Sequence, residues 1–185
     1  QVATVNGSGS QTANNVLMRT LFQMGIPVSG KNMFPSNIAG LPTWFTIRAS
    51  KHGYIGRRKE IDFLVAMNPE TAREDVLKLD ARAAVVYDEP LQLNKLRNDL
   101  HFYPVPFDKL VGPVCPEAKL RKLVRNMIYD GVVGWLLSLD MEELRKALVK
   151  QFGKRKAKAA DLNWGAAQAG YDWAAKTLTK TDPFR

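Results

Sequence analysis

The sequence predicts an α/β fold: a mostly parallel, Rossmann-like sheet with a helical C-terminal third packed on it. Over residues 1–110, short apolar runs typical of buried strands alternate with helical patterns. A glycine-rich segment, Asn6–Thr12, joins the first apolar run to an amphipathic run, as in a strand–turn–helix unit. Over residues 111–185 apolar side chains recur at helical spacing instead. We therefore expect one domain over residues 1–185, made of a βα half (1–110) and a helical half (111–185).

The individual elements follow from the same patterns. After the first strand and helix, Gly25 is expected in the left-handed conformation that ends a helix. Asn68 and Pro69 are typical of a helix start, and Asp140 with Glu143 predicts a capping box. The later strands are predicted at Ile26–Val28, Thr43–Ala49, Ile61–Met67, Ala83–Tyr87 and Phe102–Val105, with a loop at Lys31–Pro42. The later helices are predicted at Pro69–Leu79, Glu117–Leu139, Met141–Phe152 and Ala159–Leu178.

The glycine-rich loop is the most informative stretch for function. Gly7 and Gly9 tolerate positive φ and let the backbone approach a ligand closely. Ser10 or Thr12 is expected to cap the following helix, whose free N–H groups and positive dipole end favour an anion. A tight βα turn that needs glycine and binds nothing explains the same residues, and the loop alone leaves both readings open.

The charge distribution favours an anionic ligand. The chain has a formal net charge of +9, and residues 1–59 contain seven Lys or Arg and no Asp or Glu. A basic face that docks an acidic partner is the alternative. The basic residues are scattered and no nucleic-acid module is recognisable, so we expect no nucleic-acid partner. No apolar run is long enough to span a membrane, and the expected location is the cytoplasm.

No complete active site can be assembled from the sequence. His52, His101 and Cys115 form no nucleophile–base set, and no metal-ligand spacing is present, so we expect neither catalytic nor metal-ligating residues. The loop lacks the Gly-Lys-Ser/Thr ending of a P-loop. Where the dinucleotide fingerprint has an acidic residue for the ribose, this chain has Lys31, which indicates a phosphorylated ligand such as NADP or coenzyme A.

Four motifs, taken in order, resemble the gamma domain of 2-oxoacid:ferredoxin (acceptor) oxidoreductases. The similarity is greatest to the domain that opens the alpha subunit of 2-oxoglutarate-type enzymes, and it extends over nearly the whole chain. The motifs are Asn6-Gly-Ser-Gly-Ser-Gln-Thr-Ala-Asn, Met24-Gly-Ile-Pro-Val-Ser-Gly-Lys-Asn, Phe34-Pro-Ser-Asn-Ile-Ala-Gly-Leu-Pro-Thr-Trp and Asp62-Phe-Leu-Val-Ala-Met-Asn-Pro-Glu-Thr. Asn126-Met-Ile-Tyr-Asp-Gly and Gly170-Tyr-Asp-Trp are similar more loosely.

The resemblance implies a role within a larger enzyme. That family oxidatively decarboxylates a 2-oxoacid on thiamine diphosphate with Mg, passes electrons through iron–sulfur clusters to ferredoxin or another acceptor, and forms an acyl-CoA. Thiamine, Mg and the clusters are held by partner domains or subunits, whereas the gamma domain is associated with coenzyme A. The chain begins at Gln1 rather than Met, and we expect it to be a piece of a larger subunit or complex.

Eleven residues are the cofactor-binding candidates. Gly7, Ser8, Gly9, Ser10, Gln11 and Thr12 would face the phosphates of coenzyme A; Ser36, Asn37 and Gly40 would line the adjacent loop; Lys31 and Arg48 would be phosphate partners. Many gamma domains carry Arg-Gly-Gly where this chain has Ile38–Leu41, so an Arg contact is not transferred to that loop.

Two other functions fit the same residues. A free-standing NADPH-binding oxidoreductase of Rossmann type would bind NADPH and be active alone, and the missing catalytic pair counts against it. A purely structural assembly subunit would dock a partner through Met33–Leu41 and use its glycines only to shape a turn.

Overall fold

The strands form a single sheet. The computed structural model describes residues 1–35 and 37–185. The strands are β1 Val2–Val5, β2 Val28–Met33, β3 Pro42–Ala49, β4 Phe63–Ala66, β5 Ala84–Asp88 and β6 His101–Val105, in the order β2-β3-β1-β4-β5-β6. β1, β4, β5 and β6 are parallel, whereas the β2–β3 hairpin joins β1 in antiparallel orientation. The predicted α/β class and mostly parallel sheet are confirmed.

The helices cover the two faces of the sheet unequally. They are α1 Ser10–Gln23, α2 Ala72–Leu77, α3 Phe107–Val114, α4 Ala118–Val124, α5 Asn126–Leu136, α6 Met141–Phe152 and α7 Ala157–Thr177. One face of the sheet shares a core with α1 and the helical third, as predicted, and α2 packs on the other face. Within the described part of the chain, no helix has the length and apolarity needed to cross a membrane.

The β2–β3 hairpin differs from the sequence-based prediction. The predicted strand Ile26–Val28 was misplaced: β2 begins at Val28 and continues to Met33, so the predicted loop loses its first three residues to a strand. Intrinsic strand propensity could not indicate β2, because its residues include Ser, Gly, Lys and Asn, which are not typical of strands. Pairing with β3 determines its extended conformation. Gly30 lies close to the core there: a Cβ would be 2.5 Å from Met18 Sδ and 2.9 Å from Phe45 Cζ, so a larger residue would displace the ends of those side chains.

The predicted helix Glu117–Leu139 was wrong as one element, because it breaks at Arg125 into α4 and α5. Local helix propensity continues across the break, so the cause is tertiary. Arg125 reaches Asp88 at the end of β5 (Nη2–Oδ2, 2.8 Å), and Asn126 donates to the Ser8 carbonyl oxygen (2.7 Å). The predicted start of α6 is confirmed, with Asp140 Oδ1 accepting from the N–H groups of Glu142 and Glu143.

The helical half is joined by close glycine contacts between α5 and α7. A Cβ on Gly131 would lie 1.8 Å from the Ala167 carbonyl oxygen, and one on Gly170 would lie 2.3 Å from the Ile128 carbonyl oxygen. No backbone atom can be displaced cheaply in such a contact, so only glycine permits this distance between the two helices.

We expect Gly170→Ala to lower the free energy of unfolding by about 3 kcal/mol or more, because α5 and α7 must move apart. Gly165→Ala, in the same helix with nothing within 4 Å of its Cβ position, is the matched control. It should raise stability by up to about 1 kcal/mol through helix propensity. Denaturant unfolding measures both, and equal effects would contradict the packing.

Asp130 on α5 is a fully buried carboxyl group. Neither of its oxygens has a hydrogen-bond partner among the described residues. Burial raises the pKa of Asp130 well above its usual range, so the group is neutral over a wide pH interval. An unpaired buried polar group destabilises the fold, and here the cost grows once the unfolded chain can ionise.

Because the folded-state pKa of Asp130 lies above its unfolded value, ionisation of the unfolded chain costs no stability below about pH 4. As the pH rises toward the folded-state pKa, the unfolded state loses this proton first and the free energy of unfolding falls. We expect Asp130→Asn to unfold like the parent protein at low pH and to become increasingly more stable than the parent as the pH rises toward 8. Thermal unfolding across pH tests this. Parallel pH profiles for the two proteins would contradict it.

Candidate functional site at the glycine-rich loop

The glycine-rich loop has the backbone conformation that the sequence predicts, with φ of +83° at both Gly7 and Gly9. The predicted capping was wrong: Gly9 occupies the N-cap position of α1, and no side chain caps the helix. The Ser10 hydroxyl is instead buried against that of Thr4, with 2.8 Å between the two oxygens. The Thr12 N–H donates to the Gly9 carbonyl oxygen (3.3 Å), whereas the N–H groups of Ser10 and Gln11 have no acceptor among the described residues and are left to a ligand or solvent.

The loop lies where an open α/β sheet usually binds its ligand. From β1 the chain passes through α1 to the hairpin on one side of the sheet, whereas from β4 it passes through α2 to β5 on the other side. The carboxyl ends of β1 and β4 thus flank a topological switch point. Asn68 follows β4 there and is buried, and its Nδ2 donates to the Thr4 carbonyl oxygen (3.3 Å).

The neighbouring loop, described here over residues 37–41, is tied to the glycine-rich loop through Asn6. The Asn6 backbone N–H donates to the Leu41 carbonyl oxygen (2.8 Å), and its carbonyl oxygen accepts from the Gly40 N–H (2.9 Å). The Asn6 side chain donates to the Ile38 carbonyl oxygen (3.1 Å). The two loops therefore form one continuous surface.

The helical half holds the other side of the glycine-rich loop. Asn126, 4% exposed at the start of α5, donates to the Ser8 carbonyl oxygen (2.7 Å). The Tyr129 hydroxyl donates to Asn14 Oδ1 (2.8 Å) on α1. Leu123 of α4 lies against Gly9, where a Cβ would be 2.8 Å from its Cδ2. The loop is thus clamped between the hairpin side and the helical half.

Two buried polar atoms near the loop lack partners within the described chain. They are Ser8 Oγ, in the loop itself, and Arg125 Nε, one residue before Asn126. The Arg125 guanidinium group also pairs with Asp88 and lies 5.6 Å from the centroid of the Phe107 ring. Burial raises the pKa of Asp88, and the Arg125 charge opposes that shift. A serine hydroxyl and an arginine donor thus remain unpaired on the two sides of the Asn126–Ser8 hydrogen bond.

The structure brings together most of the sequence-predicted binding residues. Gly7, Ser8, Gly9, Ser10, Gln11 and Thr12 form the loop and the first turn of α1, and Asn37 and Gly40 lie on the neighbouring loop. Gln11 Oε1 accepts from Asn32 Nδ2 (2.8 Å), which links α1 to the hairpin. Ser36 lies outside the described residues.

Lys31 and Arg48 lie away from this group. Pro42 of β3 pairs with the last residue of β1, where the glycine-rich loop begins. Lys31 pairs with Thr46, four positions farther along β3, which places it roughly 13 Å from that point. Arg48 is about 7 Å farther still. Thr46, the partner of Lys31, and Arg48 lie two and four positions along β3 from Trp44, so Lys31 and Arg48 are on the same face of the sheet as Trp44. The Trp44 indole donates to Asp75 of α2 (3.1 Å), which identifies this face as the one that α2 covers. Lys31 and Arg48 therefore lie apart from the loop, and their role as phosphate partners stays a prediction.

Sequence reasoning missed Arg125 and assigned Asn126 no role at the loop. Asn126 opens one of the looser motifs, but nothing local indicates that it faces Ser8, more than a hundred residues earlier. Arg125 lay inside a helix that was predicted to be continuous. Both residues stand out as a guanidinium and a buried amide at a break between two helices. That break is visible only in the tertiary structure.

The described residues contain no group of three or more His, Cys, Asp or Glu side chains that could hold a metal ion. Cys115 is buried, His52 is exposed in a turn, and His101 Nδ1 lies 2.8 Å from Thr181 Oγ1, so the three belong to separate environments. The arrangement at the loop can bind and orient an anion.

Comparison with known proteins places this chain in a family. Residues 1–173 match the family described as pyruvate ferredoxin/flavodoxin oxidoreductase. The alpha subunit of 2-oxoacid:ferredoxin oxidoreductase 1 from Sulfurisphaera tokodaii is 20% identical over 82% of this chain and 30% of its own length. The chain therefore spans about a third of the length of that curated relative.

Solved structures show the same fold in two contexts. A 2-oxoglutarate:ferredoxin oxidoreductase from Magnetococcus marinus, solved with 2-oxoglutarate, coenzyme A and succinyl-CoA bound, has 26% identity and a TM-score of 0.83 over all of this chain and 32% of its own. The gamma subunit of a keto/oxoacid ferredoxin oxidoreductase from Geobacter sulfurreducens PCA has 16% identity and a TM-score of 0.70, over 95% of this chain and 98% of its own. Pyruvate oxidoreductase subunit PORC from Thermotoga maritima has 15% identity and a TM-score of 0.71, over 92% of this chain and 93% of its own.

The fold thus occurs both as nearly a whole subunit and as a third of a longer chain. This chain belongs to the pyruvate ferredoxin/flavodoxin oxidoreductase family.

Proposed function

We propose that this chain is the gamma domain of a thiamine diphosphate-dependent 2-oxoacid:ferredoxin oxidoreductase, to which it contributes coenzyme A binding and an assembly surface. The complete enzyme would oxidatively decarboxylate a 2-oxoacid of the 2-oxoglutarate type to an acyl-CoA. Family membership and the Magnetococcus relative support the reaction class. The observation that carries the coenzyme A role is the uncapped start of α1 at a glycine-rich loop with an unpartnered buried hydroxyl.

The residues present at the loop fit a phosphorylated ligand. Gly7 and Gly9 expose the backbone, the start of α1 offers N–H groups with the positive end of its dipole, and Ser8 Oγ has a free donor. Coenzyme A supplies the thiol that carries away the acyl group. The acid-free segment 1–59 adds a favourable field for its phosphates, although Lys31 and Arg48 act from another face of the sheet.

Other parts of the enzyme would hold the redox groups. The described chain offers no metal-ligand cluster and a single, buried cysteine, so thiamine diphosphate with its Mg ion and the iron–sulfur clusters would lie in partner domains or subunits. Electrons would leave through those clusters to ferredoxin or another acceptor. The loop that includes Asn37 and Gly40 would face the thiamine-binding part, since Ile38 is 65% exposed and Leu41 36% exposed.

The direct test is a calorimetric titration of the complete enzyme with coenzyme A, dephospho-coenzyme A and NADPH. We expect Gly9→Val to weaken coenzyme A at least tenfold, because a side chain at positive φ would displace the loop backbone and Leu123. Gly25→Val is the matched control: Gly25 also has positive φ (+78°), and a Cβ there would meet nothing within 4 Å.

Three outcomes would contradict the proposal. Unchanged coenzyme A affinity and turnover in Gly9→Val would remove the loop from the binding site. Tighter binding of NADPH than of coenzyme A would favour an NADPH-dependent oxidoreductase. Binding of neither ligand, combined with normal assembly, would favour a structural subunit.

A second variant tests the support of the loop rather than its contacts. Asn126→Ala removes the hydrogen bond to the Ser8 carbonyl oxygen, and we expect it to weaken coenzyme A several-fold while lowering stability by about 1 kcal/mol. Asn163→Ala removes a similar bond, from a buried Asn to the Ala159 carbonyl oxygen within α7, and should lower stability alone. If both variants bound coenzyme A equally well, the clamp would have no role in binding.

A further inference from the structure

A groove runs between α6 and the C-terminal end of α1, at the opposite end of α1 from the glycine-rich loop. It consists of two depressions of about 380 and 540 Å³ that share Gln23 and Lys150. Phe22 and Val149 line it and are 70% and 54% exposed. Gln23 fixes the two helices to one another by donating to the Glu143 carbonyl oxygen (2.7 Å).

Charged side chains, most of them basic, border this groove on both sides. Arg19 lies on the α1 side, and Arg145, Lys146 and Lys150 lie on the α6 side, where Glu142 and Glu143 also line the groove. The segment 144–160 contains seven Lys or Arg and no acidic residue, and all seven are exposed: Arg145, Lys146, Lys150, Lys154, Arg155, Lys156 and Lys158. Of these, Lys146 is the one with a carboxylate partner in the described chain, Glu143 at 2.9 Å.

We propose that this groove binds an acidic amphipathic helix of a partner protein. Apolar side chains of such a helix would fill the depressions at Phe22 and Val149, and its carboxylates would face Arg19 on one side and Lys150 on the other. Two packed helices present a groove in which a third helix buries its apolar face, and charged borders set its orientation and increase the association rate. Neither the glycine-rich loop nor its ligand takes part.

The shape of the surface distinguishes this partner from other anionic ones. A lipid bilayer is entered by apolar side chains that protrude from a convex surface, whereas Phe22 and Val149 line depressions. A nucleic acid would track the basic residues with its phosphates and leave the apolar groove between them unfilled. An acidic helix satisfies the charge and the apolar area together.

The probe is a fluorescein-labelled helical peptide with Leu on one face and Glu on the others, and the full-length protein is titrated by anisotropy. We expect binding that weakens with salt, and that weakens at least tenfold in Phe22→Ser/Val149→Ser and in Arg19→Glu/Lys150→Glu. Leu77→Ser and Lys119→Glu change similarly exposed side chains on α2 and α4 and should bind the peptide as the parent protein does. Circular dichroism and thermal unfolding establish that each variant is folded.

A peptide of the same composition with its apolar face scrambled should not bind. Equal binding of the scrambled peptide, or unchanged binding in Phe22→Ser/Val149→Ser, would overturn the proposal. Tighter binding of single-stranded oligodeoxythymidine or of phosphatidylserine vesicles, lost in Arg19→Glu/Lys150→Glu, would replace the helix with a nucleic acid or a membrane surface. Phe22→Ser/Val149→Ser tests the apolar contacts, and Arg19→Glu/Lys150→Glu tests the charges. The two contributions to peptide binding are therefore measured separately.

Discussion

The structure depends on how the glycine-rich loop is clamped at the end of β1. Asn6 ties one side of it to the loop over residues 37–41, and Asn126 ties the Ser8 carbonyl oxygen to the start of α5. With two glycines at positive φ, the loop itself has little intrinsic preference for one conformation. Contacts from both halves of the chain therefore fix it, which makes the helical half part of the candidate site as well as a cover for the sheet.

The break between α4 and α5 makes that clamp possible. It places Arg125 against Asp88 at the end of β5 and directs Asn126 at the loop, so the carboxyl edge of the parallel strands is lined by residues from both halves. The close contact of α5 with α7 through Gly131 and Gly170 then holds α5 at a fixed distance from the rest of the helical layer. Packing of α5 against α7 thus supports the position of Asn126 at the loop.

The sequence predicted what local patterns determine. Buried strands such as β4 and β5 are continuous apolar runs, Asp140 is an ordinary helix cap, and positive φ at Gly7 and Gly9 follows from the glycine spacing. It could not predict β2, whose residues favour a loop until β3 pairs with them, nor the face on which Lys31 lies, which depends on register. The role of Asn126 depends on a contact with a residue more than a hundred positions away.

Hydrogen–deuterium exchange of the complete enzyme, with and without coenzyme A, tests the central claim most directly. The claim is that the start of α1, the glycine-rich loop and the loop over residues 37–41 bind the ligand as one clamped surface. We expect coenzyme A to slow exchange in residues 6–12 and 37–41 together, with no change in α6. Slowed exchange confined to other parts of the enzyme, with residues 6–12 unaffected at saturating coenzyme A, would contradict this account.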